Sequence, residues 1–201
     1  MVDKIISEGA EARISLTEFM GMQVVLKARL PKRYRVREID EALRASRTKS
    51  EARIMSRLLH SGASVPRMLR AGRYTILMEF LPGEKLSESI SHGAATPSTF
   101  RNAGRILAAI HNSGVSHGDF TPANILRSKG KLFAIDFGLS TANAEDADKA
   151  IDLLLMKRSI DPDSFSHFIE GYDADGRSQT ILKLSEIECM GRYQSRTLDA
   201  N

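Results

Sequence analysis

Over the first eighty positions apolar residues fall in short, β-branched runs; beyond them they recur at helical spacing. Val24-Val25-Leu26, followed by Lys27 and Ala28, is the clearest run and reads as a strand from the interior of a sheet. Strands are predicted over 4–6, 12–19 and 22–30, with a turn at Gly21 and a tight connection in Ser7-Glu8-Gly9-Ala10-Glu11-Ala12. The period then changes. Ile54, Met55, Leu58 and Leu59 share one face of a helix over 47–60, which Gly62 stops. Strands over 66–71 and 74–80 follow, and the Leu81-Pro82-Gly83 turn breaks the pattern.

Past that turn the spacing is helical. Phe100, Ala103, Leu107 and Ile110 mark a helix of about four turns that ends near 112–114. Strands over 125–127 and 132–135 bracket a Lys129-Gly130 turn, and helices are predicted over 145–158, 163–172 and 179–194. The expected fold class is α+β. It is a minimal bilobal arrangement, with a β-rich lobe over 1–80 carrying the helix 47–60 and a reduced helical lobe over 81–201.

Composition narrows the picture. A chain of 201 residues with 42% hydrophobic and 27% charged content can bury a real core, which sets it apart from disordered chains. No apolar run approaches the length of a membrane span, and Val2-Asp3-Lys4 lacks the layout of a secretory leader. The single cysteine, Cys189, permits no internal disulfide and no zinc site, so a cytoplasmic location is expected. Charge is uneven: residues 27–57, bounded by Lys27 and Arg57, hold eleven Lys or Arg against four Asp or Glu. Such a block suits an anionic partner, nucleic acid or an acidic protein face, and equally a solvated charged helix.

Chemistry-bearing residues concentrate in His117-Gly118-Asp119-Phe120-Thr121-Pro122-Ala123-Asn124, with Asp136-Phe137-Gly138 starting twelve residues after the asparagine. Phosphoryl transfer from ATP needs a carboxylate beside the attacking oxygen, and an amide and a carboxylate that hold Mg2+ on the phosphates. Asp119 has the place of the first, Asn124 and Asp136 that of the metal ligands. Any one alone reads as a surface carboxylate or turn asparagine; the joint spacing argues otherwise. His117 is expected to hold the loop by hydrogen bonds, and Gly138 to let the backbone turn after the ligand.

Lys27 lies in an apolar strand, where a charge must be paired. Glu51 precedes Ile54, Met55 and Leu58 by three, four and seven residues, so it shares their buried face. The two read as a clamp on the nucleotide phosphates and complete a catalytic set of Lys27, Glu51 and Asp119. Two charges reaching separately for water are the plainer alternative. Backbone groups of Glu79 and Leu81 are expected to bond the adenine, with Val25 and Met78 packing near it; Gly9 and Ala10 belong to the phosphate loop. Asp152, close to the apolar stripe of its helix, is expected to hold the catalytic loop from beneath, or else to face solvent.

Departures from the usual pattern matter as much. Only Gly9 stands where a G-x-G-x-x-G would have three glycines, and Gly118 replaces the arginine that usually precedes the catalytic aspartate. Thr121 stands where serine/threonine kinases place a lysine. Fewer than ten residues separate Asp136 from the next helix, without an Ala-Pro-Glu. Such a short activation segment gives a peptide substrate little to dock on.

These segments, with Lys32-Arg33-Tyr34-Arg35, Arg47-Thr48-Lys49-Ser50-Glu51-Ala52-Arg53 and Glu145-Asp146-Ala147-Asp148-Lys149-Ala150, resemble the small atypical kinase subunit of the KEOPS complex over nearly the whole chain. The resemblance implies Ser/Thr autophosphorylation with ATP and Mg2+, and an ATPase that supports a partner enzyme installing threonylcarbamoyl-adenosine in tRNA. Its implied partners are the threonylcarbamoyl transferase subunit and a second small subunit. It carries the nucleotide and magnesium roles onto Lys27, Glu51, Asp119, Asn124 and Asp136. Contact with tRNA, if made, is expected through 27–57; no membrane is involved. The family's compact basic tail is replaced here by Gly191-Arg192-Tyr193-Gln194-Ser195-Arg196-Thr197, so control of the partner through the tail is not carried over.

Two other readings use the same residues. One is a stand-alone serine/threonine protein kinase, which would leave phosphate on protein. The other is a non-catalytic ATP-binding scaffold that recruits tRNA, which would show no turnover.

Overall fold

The computed structural model describes residues 4–9, 11–173 and 178–198. Strands β1 (Lys4–Glu8), β2 (Ala12–Phe19), β3 (Met22–Arg29), β4 (Met68–Ala71) and β5 (Thr75–Glu79) form one antiparallel sheet in the order β1-β2-β3-β5-β4. The β-branched run places β3 at the centre, where Val24, Lys27 and Arg29 are all buried. Helix α1 (Arg37–His60) packs across β4 and β5 and turns Glu51, Ile54, Met55 and Leu58 inward.

Helix α1 starts ten residues before the predicted 47–60. Its first turns carry no core-facing apolar stripe, since Ile39 and Leu43 are exposed. Ion pairs at i,i+4 hold them instead: Arg37 to Glu41 at 3.0 Å, and Arg44 to the buried Asp40 at 2.7 Å.

The 80–83 connection leads to β6 (Glu84–Lys85) and α2 (Leu86–Ser91), two elements too short for periodicity to announce. Then come α3 (Pro97–Asn112), β7 (Val115–Ser116), β8 (Ile125–Ser128), β9 (Lys131–Ala134), β10 (Thr141–Ala142), α4 (Asp146–Ser159), α5 (Pro162–Tyr172) and α6 (Ser178–Leu198). A proline in the first turn and a Thr96–Thr99 capping box start α3, whose Phe100, Ala103, Leu107 and Ile110 are buried. Helix α3 packs on α5, and α4 on α6. One apolar cluster joins Ile54, Met55 and Leu58 of α1 to Leu107, Ile110, Phe120 and Phe168 of the helical half. The fold is α+β with a sheet-rich lobe on a helical one, as expected. No helix among the described residues is long and apolar enough to cross a membrane.

Candidate active site

A cleft of about 370 Å³ runs between the sheet and the helical half. Ile14, Val25, Met78, Leu126 and Ile135 give it apolar walls, while Lys27, Glu51, Asn124 and Asp136 line it with charge and amide. Apolar walls around a few convergent polar groups suit a flat base with a charged tail. Glu79 and Leu81 also line the cleft. Glu79 gives its backbone N–H to Arg67 O and its carboxylate accepts the Arg67 N–H, so its N–H is already engaged.

Lys27 donates to Glu51 Oε1 at 2.6 Å and to Asp136 Oδ1 at 2.7 Å. With Lys27 and Glu51 side chains 7% and 2% exposed, the two charges do not reach separately for water. A third buried charge escaped the sequence reading: Arg29, whose guanidinium donates to Glu51 Oε2 at 2.6 Å. The signal was there, because residues two apart on a strand share a face.

Asp136 itself makes the turn, with φ of 66°, and Gly138 is not left-handed. The expectation that Gly138 supplies the turn is thus corrected. The glycine instead leaves room: a Cβ there would lie 3.1 Å from Asp136 Oδ1 and 3.6 Å from both Lys27 Nζ and the Arg29 guanidinium. Partial burial raises the Asp136 pKa, but the Lys27 charge and hydrogen bond and the Gly138 N–H outweigh it, so the carboxyl stays below its ordinary range.

Asn124 closes the turn Pro122–Asn124 and donates through Nδ2 to Asp119 O at 2.9 Å and Asp119 Oδ2 at 2.8 Å. Its amide nitrogen therefore faces Asp119, and its amide oxygen is the atom available to a cation. Asp119 lies one hydrogen bond behind the cleft lining. No cluster of three or more His, Cys, Asp or Glu fit to hold a metal occurs among the described residues. One amide oxygen and one carboxylate fit Mg2+, which keeps waters and phosphate oxygens as its other ligands.

His117 is fully buried between Phe120 and Phe137. Its Nδ1 accepts from Asp119 N at 3.3 Å and its Nε2 faces Ile135 O at 3.1 Å. Only the neutral ring with its proton on Nε2 satisfies both contacts. Burial depresses the His117 pKa, against the pull of Asp152, and agrees with that state. Below the loop, Asp152 of α4 accepts from His117 N at 2.7 Å and Gly118 N at 2.8 Å, and also contacts His111 Nε2 at 3.0 Å. It is fully buried and does not face solvent.

Gly118 has φ of 80°, and a Cβ on it would meet Leu139 O at 2.4 Å. The space an arginine would need is taken by the backbone that follows Asp136-Phe137-Gly138. That short segment is fastened to the catalytic loop: β10 pairs with β7, Ser140 Oγ donates to His117 O at 2.8 Å, and Ala144 N to Gly114 O at 3.0 Å.

Two expectations change, those on Gly9 and on the basic stretch. Gly9 sits outside the cleft lining, because its N–H bonds Ala12 O at 3.0 Å and closes the β1–β2 turn, while Ile6 and Ser7 of β1 reach the cleft. Ala10 and the side chains of the tail segment 191–197 lie outside the described residues. The basic stretch 27–57 is not one open surface: Lys27 and Arg29 are buried, and Arg37, Arg44 and Arg47 pair with Glu41, Asp40 and Glu11. Lys49 and Arg53 stay exposed and, with Arg73, rim a groove between α1 and β4.

A five-stranded sheet whose central lysine pairs with a glutamate of the packed helix, above a helical lobe, defines the protein-kinase-like class. Residues 12–158 match the RIO domain family (RIO1). The chain is 36% identical to the "Probable serine/threonine-protein kinase BUD32 homolog" of Archaeoglobus fulgidus, covering 94% of this chain and 95% of that protein. It is 34% identical to the "KEOPS complex subunit Bud32" of Pyrococcus abyssi, covering 96% and 98%. Against the "Probable bifunctional tRNA threonylcarbamoyladenosine biosynthesis protein" of Methanobrevibacter smithii, identity is 36% over 95% of this chain, which spans 37% of that protein. Among solved structures, the Rio2 kinase of Chaetomium thermophilum in complex with ADP/Mg2+ and phosphoaspartate shares the fold. Its TM-score is 0.63 at 18% identity, over 95% of this chain and 70% of that one. The chain belongs to the RIO-domain family and, within it, to the Bud32 group.

Proposed function

We propose that the chain is a Mg-ATP-dependent atypical serine/threonine kinase and ATPase that serves threonylcarbamoyl-adenosine modification of tRNA as a KEOPS subunit. The observation that carries the reading is the convergence of Lys27, Asn124 and Asp136 on one apolar-walled cleft, with Asp119 bonded to Asn124 just behind its lining. Residues 1–80 act as the nucleotide-clamping lobe and 81–201 as the lobe that carries the catalytic loop. Val25, Met78 and the Glu79–Leu81 backbone hold the base, and Lys27, steadied by Glu51, moves onto the phosphates. Asn124 and Asp136 would hold Mg2+, whose chemistry there would be to offset phosphate charge. Asp119 orients the attacking hydroxyl or water, and Asn124 keeps it in place. The Bud32 names of near-full-length relatives support membership in the assembly; the partners proposed within it are the transferase subunit and a second small subunit. Lys49, Arg53 and Arg73 are the cations best placed for tRNA. A cytoplasmic location fits the single cysteine.

The segment fastened over the catalytic loop favours water over a docked peptide as the main acceptor. The test is the fate of the γ-phosphate of labelled ATP with Mg2+, with and without the transferase subunit and tRNA. Free phosphate that rises with the assembly supports the reading. Phosphate found mainly on protein and indifferent to tRNA replaces it with a stand-alone kinase.

A further inference from the structure

We propose that Lys32, Arg35 and the outer side of Arg29 form an oxyanion pocket that takes one backbone phosphate of tRNA, in exchange for the Glu11 carboxylate that rims it in the structure. The inference rests on the tRNA part of the reading above and adds a contact apart from the groove of Lys49 and Arg53. Arg29, Lys32, Arg35, Arg44 and Arg47 all line this small pocket beside the first turns of α1, and Glu11 is the one acid that lines it with them. Two of the cations are committed elsewhere. Arg44 Nε donates to the buried Asp40 at 2.7 Å, and Arg29 Nη2 donates to Glu51. The groups that remain are under-satisfied. Arg29 Nη1 lies 3.6 Å from Glu11 Oε2 and Arg35 Nη1 lies 3.7 Å from Asp40 Oδ1, both beyond hydrogen-bond length. The Lys32 ammonium has no acidic partner among the described residues. With the Arg29 side chain only 4% exposed, an unmet N–H there is costly, and an anion in the pocket would meet it.

Glu11 acts as a placeholder. Arg47 Nη1 donates to both of its oxygens, and that bond, helped by the charges of Arg29 and Arg35, holds the carboxyl below its ordinary range against partial burial. The side chain is nevertheless 47% exposed, where ion pairs hold weakly and exchange readily. With Glu11 in place the pocket has about 10 Å³, room for roughly one oxygen and for no base or sugar. A phosphodiester carries the same single charge and offers two free oxygens to forked donors, so the exchange conserves charge and reaches N–H groups that Glu11 does not. A chain of phosphates suits the surroundings better than a lone ion, because positive charge continues away from the pocket. Arg44 and Arg73 lie 4.0 and 5.1 Å from the centre of the Tyr74 ring, and Arg73 rims the groove with Lys49 and Arg53. The plainer account is a set of solvated cations that only raise the local potential. It differs in one respect: it makes every acid of the neighbourhood equivalent.

The experiment measures binding of a labelled tRNA transcript by the full chain, alone and with the transferase subunit, for wild type, Lys32→Gln/Arg35→Gln, Glu11→Gln and Glu8→Gln. Glu8, paired with Arg13, precedes the same turn and lies outside the pocket, so it controls for the loss of one negative charge. Lys32→Gln/Arg35→Gln is expected to weaken binding about five- to tenfold and to lower the salt slope by about one unit, as one lost phosphate contact does. Glu11→Gln is expected to strengthen binding at least about threefold, and Glu8→Gln by less than about 1.5-fold. Equal gains in the two glutamate variants overturn the exchange. Unchanged binding in Lys32→Gln/Arg35→Gln overturns the tRNA occupant; if inorganic phosphate then raises the melting temperature of wild type and not of that variant, the pocket takes a free anion. Mg2+-dependent ATP turnover, with Asp136→Asn as the blank, is read in parallel. Turnover in a chain that holds no transcript, or whose pocket variants hold it as wild type does, overturns the inference alone. A wild-type chain that neither turns over ATP nor holds the transcript overturns the proposed function as well. If Lys32→Gln/Arg35→Gln does not fold, Glu11→Gln against Glu8→Gln decides.

Discussion

Lys27 Nζ lies 2.7 Å from Asp136 Oδ1, although the two residues are 109 positions apart. The contact gives the carboxylate a cation, and on the proposed function the same carboxylate would hold Mg2+. Asp136→Asn should therefore abolish most Mg2+-dependent turnover, by about a hundredfold or more. The fold should survive, since Lys27 keeps Glu51. Glu51→Gln should behave oppositely: it leaves Lys27 and Arg29 buried without their shared anion and should destabilise the chain by about 3–5 kcal/mol. Thermal melts beside ATPase rates separate the two, and equal melting temperatures would contradict this account.

Gly118 offers a test of the catalytic loop. Its φ of 80° and the 2.4 Å approach of Leu139 O to a would-be Cβ leave no room for a side chain. Gly118→Ala should cost about 1–3 kcal/mol and should loosen the segment after Gly138, seen as new protease cleavage around 139–144. An alanine variant as stable and as resistant as wild type would show that the segment yields freely.

Acid should weaken the protein through His117. Its pKa is held below the ordinary 6.5, so as pH falls below that value the unfolded chain takes up the proton first. The stability in question is complete above about 6.5 and is lost progressively as pH falls toward the folded pKa, with a slope of at most about 1.4 kcal/mol per pH unit. Protonation also sets N–H against N–H at Asp119. Denaturant melts between pH 7 and 5 (a range of about two units around the His pKa) should show this slope in wild type and not in His117→Gln. A shared slope would assign it to another group.

For the groove proposed to meet tRNA, Lys49→Glu with Arg53→Glu should lower tRNA retention by the full assembly roughly tenfold and flatten its salt dependence by about two units. ATP affinity should not change, because both residues lie outside the cleft. Arg47→Glu makes a poor control, since it breaks the pair with Glu11. Retention unchanged at moderate salt would remove this face from the tRNA path.

The sequence was most legible where chemistry demands fixed spacing or where a period is strong. The Lys27–Glu51 pair lies where strand and helical period put it, and Asp152 takes the first of its two readings, under the loop; the Asn124–Asp119 contact was not foreseen. The start of α1 was not legible, because Arg37–Glu41 and Asp40–Arg44 hold it by charge and not by burial. Arg29 was hidden in a run of lysines and arginines that looked like one exposed block; burial, which sorts such a run, is a property of the sheet and not of composition. The role of Gly138 was misjudged because Asp136 takes the left-handed conformation usually left to glycine.

Asp152 has a wider consequence. Through His111 it is joined to Tyr172, 2.7 Å from the other ring nitrogen, so α3, α4, α5 and the catalytic loop meet at one carboxylate. Unravelling of α3, α4 or α5 at that point would loosen the loop as well. On the proposed function, a partly unravelled copy would lose turnover and not gain it.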